Sequence, residues 1–361
     1  MKRLAYPFLI FLLLAMESRA GEKPAAARGS TFTFAFGKEP LVYSIHVKLE
    51  SKGYASSGSS SYSYGSPYAN GAQTAVTKST GDLRYKIRLT GTGMTKDGLM
   101  AVKYEPFDYE AEADTTLAAG HFVTTMHDMS LKTTQNGIVI IDTDKGIGMG
   151  QAKNMKIDAI LLLLSGEMDL NSIGEIKNVH GDLPFVDLRQ EQMKTEIGLF
   201  GFVLPSHAIT NGETWEVVTP IKKFGTARID GPGVNYTNIF TLAEDASSDN
   251  ANVATVTYSA PLYARNLSGY VEERGQSTHE DLSELEQHGF GTVHFDKKRH
   301  VFLDEQLTKS GSAVTTMLID GRAMTSHAEN RSEIEIKLIP ASGEDPDSEK
   351  PRGNSAGGKT L

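Results

Sequence analysis

The residues most able to do chemistry fall short of any complete catalytic or metal-binding set. His279-Glu280 has the form that opens a zinc-protease helix, but the partner histidine four positions on is missing and Ser283 stands there. With no cysteine in the chain, a zinc site would need histidines and carboxylates gathered by the fold. Asp142-Thr143-Asp144-Lys145-Gly146 opens like a calcium loop, then lacks the third acidic ligand, the glycine at the sixth place and the glutamate at the twelfth, so a tight turn is expected. His121, His127 and His294 read as half-exposed strand residues. No G-x-S-x-G elbow, Walker loop or G-x-G-x-x-G between strand and helix is found, and Gly146, Gly148 and Gly150 complete no such motif. No catalytic residue, metal or cofactor is therefore assigned, and enzymatic activity is not expected. Trp215, the only tryptophan, reads as a core anchor whose indole finds a nearby carbonyl. Trp215, Tyr62 and Tyr64 are the candidate ligand contacts. The two tyrosines lie in a Ser/Gly/Tyr-rich stretch, 53–72, that reads as a flexible loop.

The elements that would position these residues are mainly strands. Leu41, Tyr43, Ile45, Val47 and Leu49 alternate with Ser44, His46 and Lys48. Leu83, Tyr85, Ile87 and Leu89 do the same against Arg84, Lys86 and Arg88, which is the period of half-buried strands. Asn136-Gly137 marks a two-residue hairpin turn, and a second hairpin is expected from Gly291 to Leu303, turned around Asp296-Lys297. In the middle, Ile157, Ile160, Leu161 and Leu164 follow helical spacing, and Pro184 sits where a second helix would begin. The acidic region from Glu273 to Glu286 reads as an exposed loop or short helix. The fold class expected is mainly β, of the α+β kind: two related antiparallel, curved β-sheet halves with two helices in the middle, near 152–165 and 184–199. The division along the chain is a signal peptide at 1–20, a lead-in at 21–30, an N-terminal half at 31–200, a C-terminal half at 201–340 and a disordered tail at 341–361.

The start of the chain points to export. Lys2 and Arg3 precede an apolar run from Leu4 to Met16, and small residues at Ser18 and Ala20 fit cleavage after Ala20. The apolar run rises only about 20 Å as a helix, short of the ~30 Å hydrocarbon core. No later stretch has the length of a membrane helix. The absence of cysteine removes disulfides and a lipid-modified N-terminal cysteine, and favours a bacterial periplasm or exterior. The net charge of −9 excludes a nucleic-acid or anionic-membrane surface, and the dense basic run Lys297 to Arg299 reads as a solvated hairpin tip.

Leu204-Pro205, Gly212 and Trp215, followed by Gly291 to Asp296, resemble an uncharacterised family of exported bacterial β-rich proteins. The outline also resembles envelope carriers of lipid or lipoprotein. Export, long amphipathic strands, helices able to cover a sheet and the lack of a recognisable catalytic set point to a non-catalytic binding or carrier protein of the bacterial envelope, with an apolar small molecule, a lipid or an envelope protein as partner. An exported hydrolase with dispersed acidic residues and a structural or assembly protein are the alternatives, and each predicts something different. A carrier needs an apolar cleft between sheet and helices, a hydrolase needs a pocket of converging carboxylates or histidines, and an assembly protein needs a large exposed apolar patch.

Overall fold

The computed structural model describes residues 30–57, 75–117, 120–128, 130–148, 165–180, 202–221, 223–224, 227–230, 233–243, 252–273, 276–319 and 322–340. They form sixteen strands: β1 (Leu41–Ser57), β2 (Ala75–Met94), β3 (Met100–Leu117), β4 (Gly120–His127), β5 (Ser130–Gln135), β6 (Ile138–Asp142), β7 (Gly166–Leu170), β8 (Ile176–His180), β9 (Thr214–Ile221), β10 (Lys223–Phe224), β11 (Ala227–Ile229), β12 (Val234–Leu242), β13 (Val253–Glu273), β14 (Gln276–Asp296), β15 (Val301–Ile319) and β16 (Arg322–Ile339). The mainly-β class is what the alternation predicts. The two sheet halves are corrected to one antiparallel sheet, ordered β10-β11-β13-β14-β15-β16-β1-β2-β3-β4-β5-β6. The N- and C-terminal runs of strands meet edge to edge where β16 pairs with β1 from Val42–Ile339 to Ser57–Met324. The helix expected near 184–199, and that near 152–165 up to Ser165, lie outside the described residues, among which the one helical segment is the single 3-10 turn Thr143–Lys145.

The sheet forks near each end. β3 pairs with β7 along Met100–Tyr104 and with β4 along Glu110–Leu117. β13 pairs with β12 along Val256–Ser259 and with β11 along Gly269–Val271. Between its two partners each forking strand carries one non-glycine residue in the left-handed region, Asp108 (φ 51°) and Asn266 (φ 54°). Asp and Asn tolerate that conformation better than other side chains, and such irregularities bend a strand and re-aim it. Register breaks lie alongside, between Arg84 and Lys86 on β2 and between Leu282 and Glu284 on β14.

The fork divides the long strands into a filled base and an upper part. In the base, Tyr43, Ile87, Val102, Val293, Phe295 and Phe302 are buried on one face. The cover expected from helices comes, among the described residues, from the short hairpin β7–β8, the pair β9–β12 and two irregular straps. One strap brings Phe34 against Phe295 at 5.2 Å between ring centroids, and the other brings Phe202 against Phe240 at 5.5 Å. The straps are tied by backbone bonds from Phe34 N to Ser172 O (2.7 Å) and from Leu204 N to Ile173 O (2.9 Å). A smaller core of Tyr109, Met126, Leu131 and Ile141 fills the angle of the β3–β6 wing.

Turn chemistry follows the sequence. Asn136 (φ 50°) and Gly137 (φ 81°) are both left-handed, as a two-residue hairpin turn requires. Asp142 caps the 3-10 turn by accepting from Lys145 N at 3.2 Å, which makes the calcium-like segment a tight turn. Lys297 to Arg299 form the β14–β15 turn, where Asp296 accepts from the backbone of Lys298 and Arg299. His279 and Glu280 lie within strand β14, so the acidic stretch expected to be a loop or helix is part of an extended ladder with β13 and β15.

Gly291 shows how closely the base is fitted. A Cβ there would stand 2.4 Å from Gln306 O and 3.0 Å from the Tyr258 ring. Gly291→Ala is expected to destabilise the protein by about 1–3 kcal/mol, because a backbone oxygen cannot turn aside as a side chain could. The loss should be read as a lower urea midpoint at unchanged slope.

Candidate apolar binding face

Above the base the strands continue, and strict alternation carries the core face upward. On β1 the face of Tyr43 and Ile45 continues as Val47, Leu49, Ser51 and Gly53. Registered residues share a face, so Leu49 is flanked by Gly81 of β2 and Ser332 of β16, and Gly53 by Ala328. β15 adds Leu307, Lys309, Gly311 and Ala313, and β3 adds Ala111 and Ala113. Lys309 is the one charged residue in these rows. Leu49 is 46% exposed, and its side chain lies over Gly81, where a Cβ would stand 3.6 Å from Leu49 Cβ. Small residues around an exposed leucine give a low apolar surface that runs down to the packed base.

The opposite face is built of charge. Lys48, Glu50 and Lys52 on β1 stand beside Glu333, Arg331 and Glu329 on β16. His46 and Asp82 meet at 3.0 Å, Arg331 and Glu333 at 2.9 Å, Arg265 and Glu284 at 2.9 Å, and His288 and Glu286 at 2.8 Å. Exposed pairs of this kind contribute little each, roughly 0–1 kcal/mol. Their effect is to keep this face in water. Burial works against the charge of Asp82, but the hydrogen bond and charge of His46, with Arg84 adding to them, hold its carboxyl below its ordinary range.

The sequence candidates separate in the structure. Trp215 is 7% exposed, stacks on Phe240 at 5.3 Å and donates from Nε1 to Val203 O at 2.8 Å, as expected of a core anchor. Trp215→Phe is expected to cost about 1 kcal/mol, the value of one buried hydrogen bond, measured by calorimetry. Tyr62 and Tyr64 lie outside the described residues. Tyr54, at the described edge of that stretch, stacks on His327 at 6.0 Å with Lys52 over its ring. His121 pairs with Asp114 at 2.7 Å, His127 stands 3.6 Å from Glu110, and His294 pairs with Asp304 at 2.6 Å, all across strands. Among the described residues no group of three or more His, Asp or Glu could hold a metal ion.

Two of the depressions among the described residues lie away from the apolar face. A groove of about 560 Å³ runs between β8 and β9, with Ile176, Val203, Leu204, Trp215 and Val217 along it and Glu175, His207 and Glu216 at its rim. Glu175 there accepts from Asn171 Nδ2 at 3.0 Å and from Lys177 Nζ at 2.5 Å. A shallower one of about 400 Å³ lies on the charged face beside the exposed Phe290, with His46, Lys48, Gln306 and Glu333. The alternation made the two faces legible in sequence, but nothing in a single strand told how far above the core they would continue. That depended on pairing between strands far apart in the chain.

No family model matches the chain, and no curated protein matches it. Among solved structures it has an outline similarity to a chain described by lipid–protein interactions in lipovitellin. The TM-score is 0.35 and the identity 11%, over 84% of this chain and 26% of that one. The chain thus spans about a quarter of the other's length. A similarity at that level carries no argument about fold or ligand.

Proposed function

We propose that this protein is a non-catalytic binding or carrier protein for an elongated apolar or amphiphilic molecule, which lies along the upper inner face of the long sheet. The observation that carries the reading is the asymmetry of β1, β2, β15 and β16 above the base. One face carries the exposed Leu49 among the half-buried Gly53, Gly81, Ala313 and Ala328, and the other carries the charges. An apolar face left open above a packed core is stabilised when an apolar ligand covers it, at roughly 25 cal/mol per Å² removed from water. The apolar face extends the core instead of interrupting it, so a ligand adds to a surface that is already ordered.

Export to a bacterial envelope is part of the proposal and rests on the Met1 to Ala20 pattern and the absence of cysteine. Among the described residues no α-helix is long and apolar enough to cross a membrane, which says nothing of strands. Gentle purification of the full chain followed by native mass spectrometry tests the carrier reading. Retained mass that dissociates as an apolar compound is the expected result. A chain that emerges bare, and that also fails to bind a dansylated fatty acid, would contradict it.

A further inference from the structure

Beneath the open face lies a buried acid that the carrier reading does not use. Glu305 is 0% exposed, on the inner face of β15, one step below Leu307. Tyr258 of β13 reaches across Gly291 and donates its hydroxyl to Glu305 Oε1 at 2.6 Å. Among the described residues Glu305 Oε2 has no partner, and neither do the buried Tyr236 hydroxyl and Asn238 Oδ1 on β12. Tyr236, Asn238 and Phe240 alternate on one face of β12, and Phe240 packs on Tyr258 at 5.6 Å. Tyr236 is also close enough to act electrostatically on Tyr258.

The attachment of β12 is short. It pairs with β13 only from Ile239–Ser259 to Leu242–Val256, so Val234 to Asn238 have left β13 and pair with β9 alone. Two of the three polar atoms without partners, those of Tyr236 and Asn238, thus sit on the part of the β9–β12 leaf that lies beyond its attachment. We propose that Glu305, through the Tyr258 on which Phe240 packs, is the proton-binding site of a latch: protonated, it lets the leaf close on β13, and ionised, it loosens the leaf from its short attachment.

The chemistry of the cluster supports this. A neutral carboxyl, holding the Tyr258 hydroxyl at Oε1, adds no charge to that interior. An ionised one adds a charge to a closed interior with no donor at Oε2 among the described residues, which is costly. The charged and titratable groups facing Glu305 are few. β13 offers Tyr258, on which Tyr236 of β12 acts in turn, and Lys309 on β15 acts from the same face. β14 and β16 place only Val293 and Ile336 beside it. Burial pushes the Glu305 carboxyl up from the usual range to about 7, against the lowering effects of the Tyr258 hydrogen bond and of Lys309. A folded-state value above the unfolded one means that the stabilisation is full in acid and is lost as pH rises through about 7. The latch does not need the carrier reading.

Hydrogen exchange of the full chain across this pH range, corrected for the intrinsic pH dependence of the amide reaction, tests the latch. Opening of the peptides covering Val234 to Asn238 should rise about tenfold or more with pH, while those of β1 and β16 should stay constant. Glu305→Gln, which mimics the neutral carboxyl, should abolish the rise. An equal rise in that variant, or none in the unaltered protein, would overturn the proposal. Should Glu305→Gln not fold, infrared spectra of the unaltered protein decide. A protonated-carboxyl band at pH 6 that disappears by pH 8 supports the latch, and its absence at pH 6 overturns it.

Discussion

Leu49→Asp is expected to abolish binding of a dansylated fatty acid, weakening it by about a hundredfold or more, while stability changes by about 1 kcal/mol or less. The two effects separate because of where Leu49 sits. It is 46% exposed, so a carboxylate there keeps its water and the fold loses little packing. A ligand lying over β1 would strip that water from a charge flanked by Gly81 and Ser332, neither of which can compensate it. Aspartate is also too short to reach Lys309 two strands away. Lys48→Gln, one residue earlier but on the charged face, should leave binding within about twofold. Fluorescence titration gives the binding, and urea unfolding gives the stability.

Phe240→Ala is expected to cost about 3–5 kcal/mol, the usual loss for a fully buried aromatic. Its ring meets Phe202 at 5.5 Å, Trp215 at 5.3 Å and Tyr258 at 5.6 Å, so one truncation undoes three aromatic contacts. It also joins the strap at Phe202 to the leaf at Trp215 and to the wall at Tyr258. Against a total stability of roughly 5–15 kcal/mol, that loss is a large fraction. Chemical denaturation measures the cost, and the emission of Trp215, the only tryptophan, should move to longer wavelength as water reaches the space left behind.

How much of this could be read from the sequence varies with how local the cause is. The alternation of Tyr43, Ile45 and Val47 against His46 and Lys48 is a two-residue pattern, and β1 follows it. The Asn136-Gly137 turn and the turn after Asp296 depend on a few adjacent residues and appear where expected. The lengths of β14 and β15 were hidden. Glu280 to Gln287 has too many acids to read as a strand, yet it is extended because β13 and β15 pair along both edges. The single sheet depends on the β16–β1 junction between segments at opposite ends of the chain, which no local pattern encodes.

The candidate site divides in the same way. Trp215 announced itself as a core anchor by being alone, and its bond to Val203 O agrees. Leu49 drew no notice because it continued an ordinary strand, and only the glycine and serine on either side make it an open apolar position. Glu305 was missed for a related reason. A glutamate in a polar stretch looks exposed, and its burial follows from a register that sets it between Val293 and Ile336.

The central claim, that an apolar ligand lies on one face of the upper sheet, is tested most directly by two labels one residue apart. The chain has no cysteine, so Leu49→Cys and Lys48→Cys each offer a single attachment point for an environment-sensitive fluorophore. Addition of an unlabelled long-chain fatty acid should shift the emission of the label at position 49 to shorter wavelength and leave that at position 48 unchanged. Equal shifts at both positions, or a shift at 48 alone, would contradict the account.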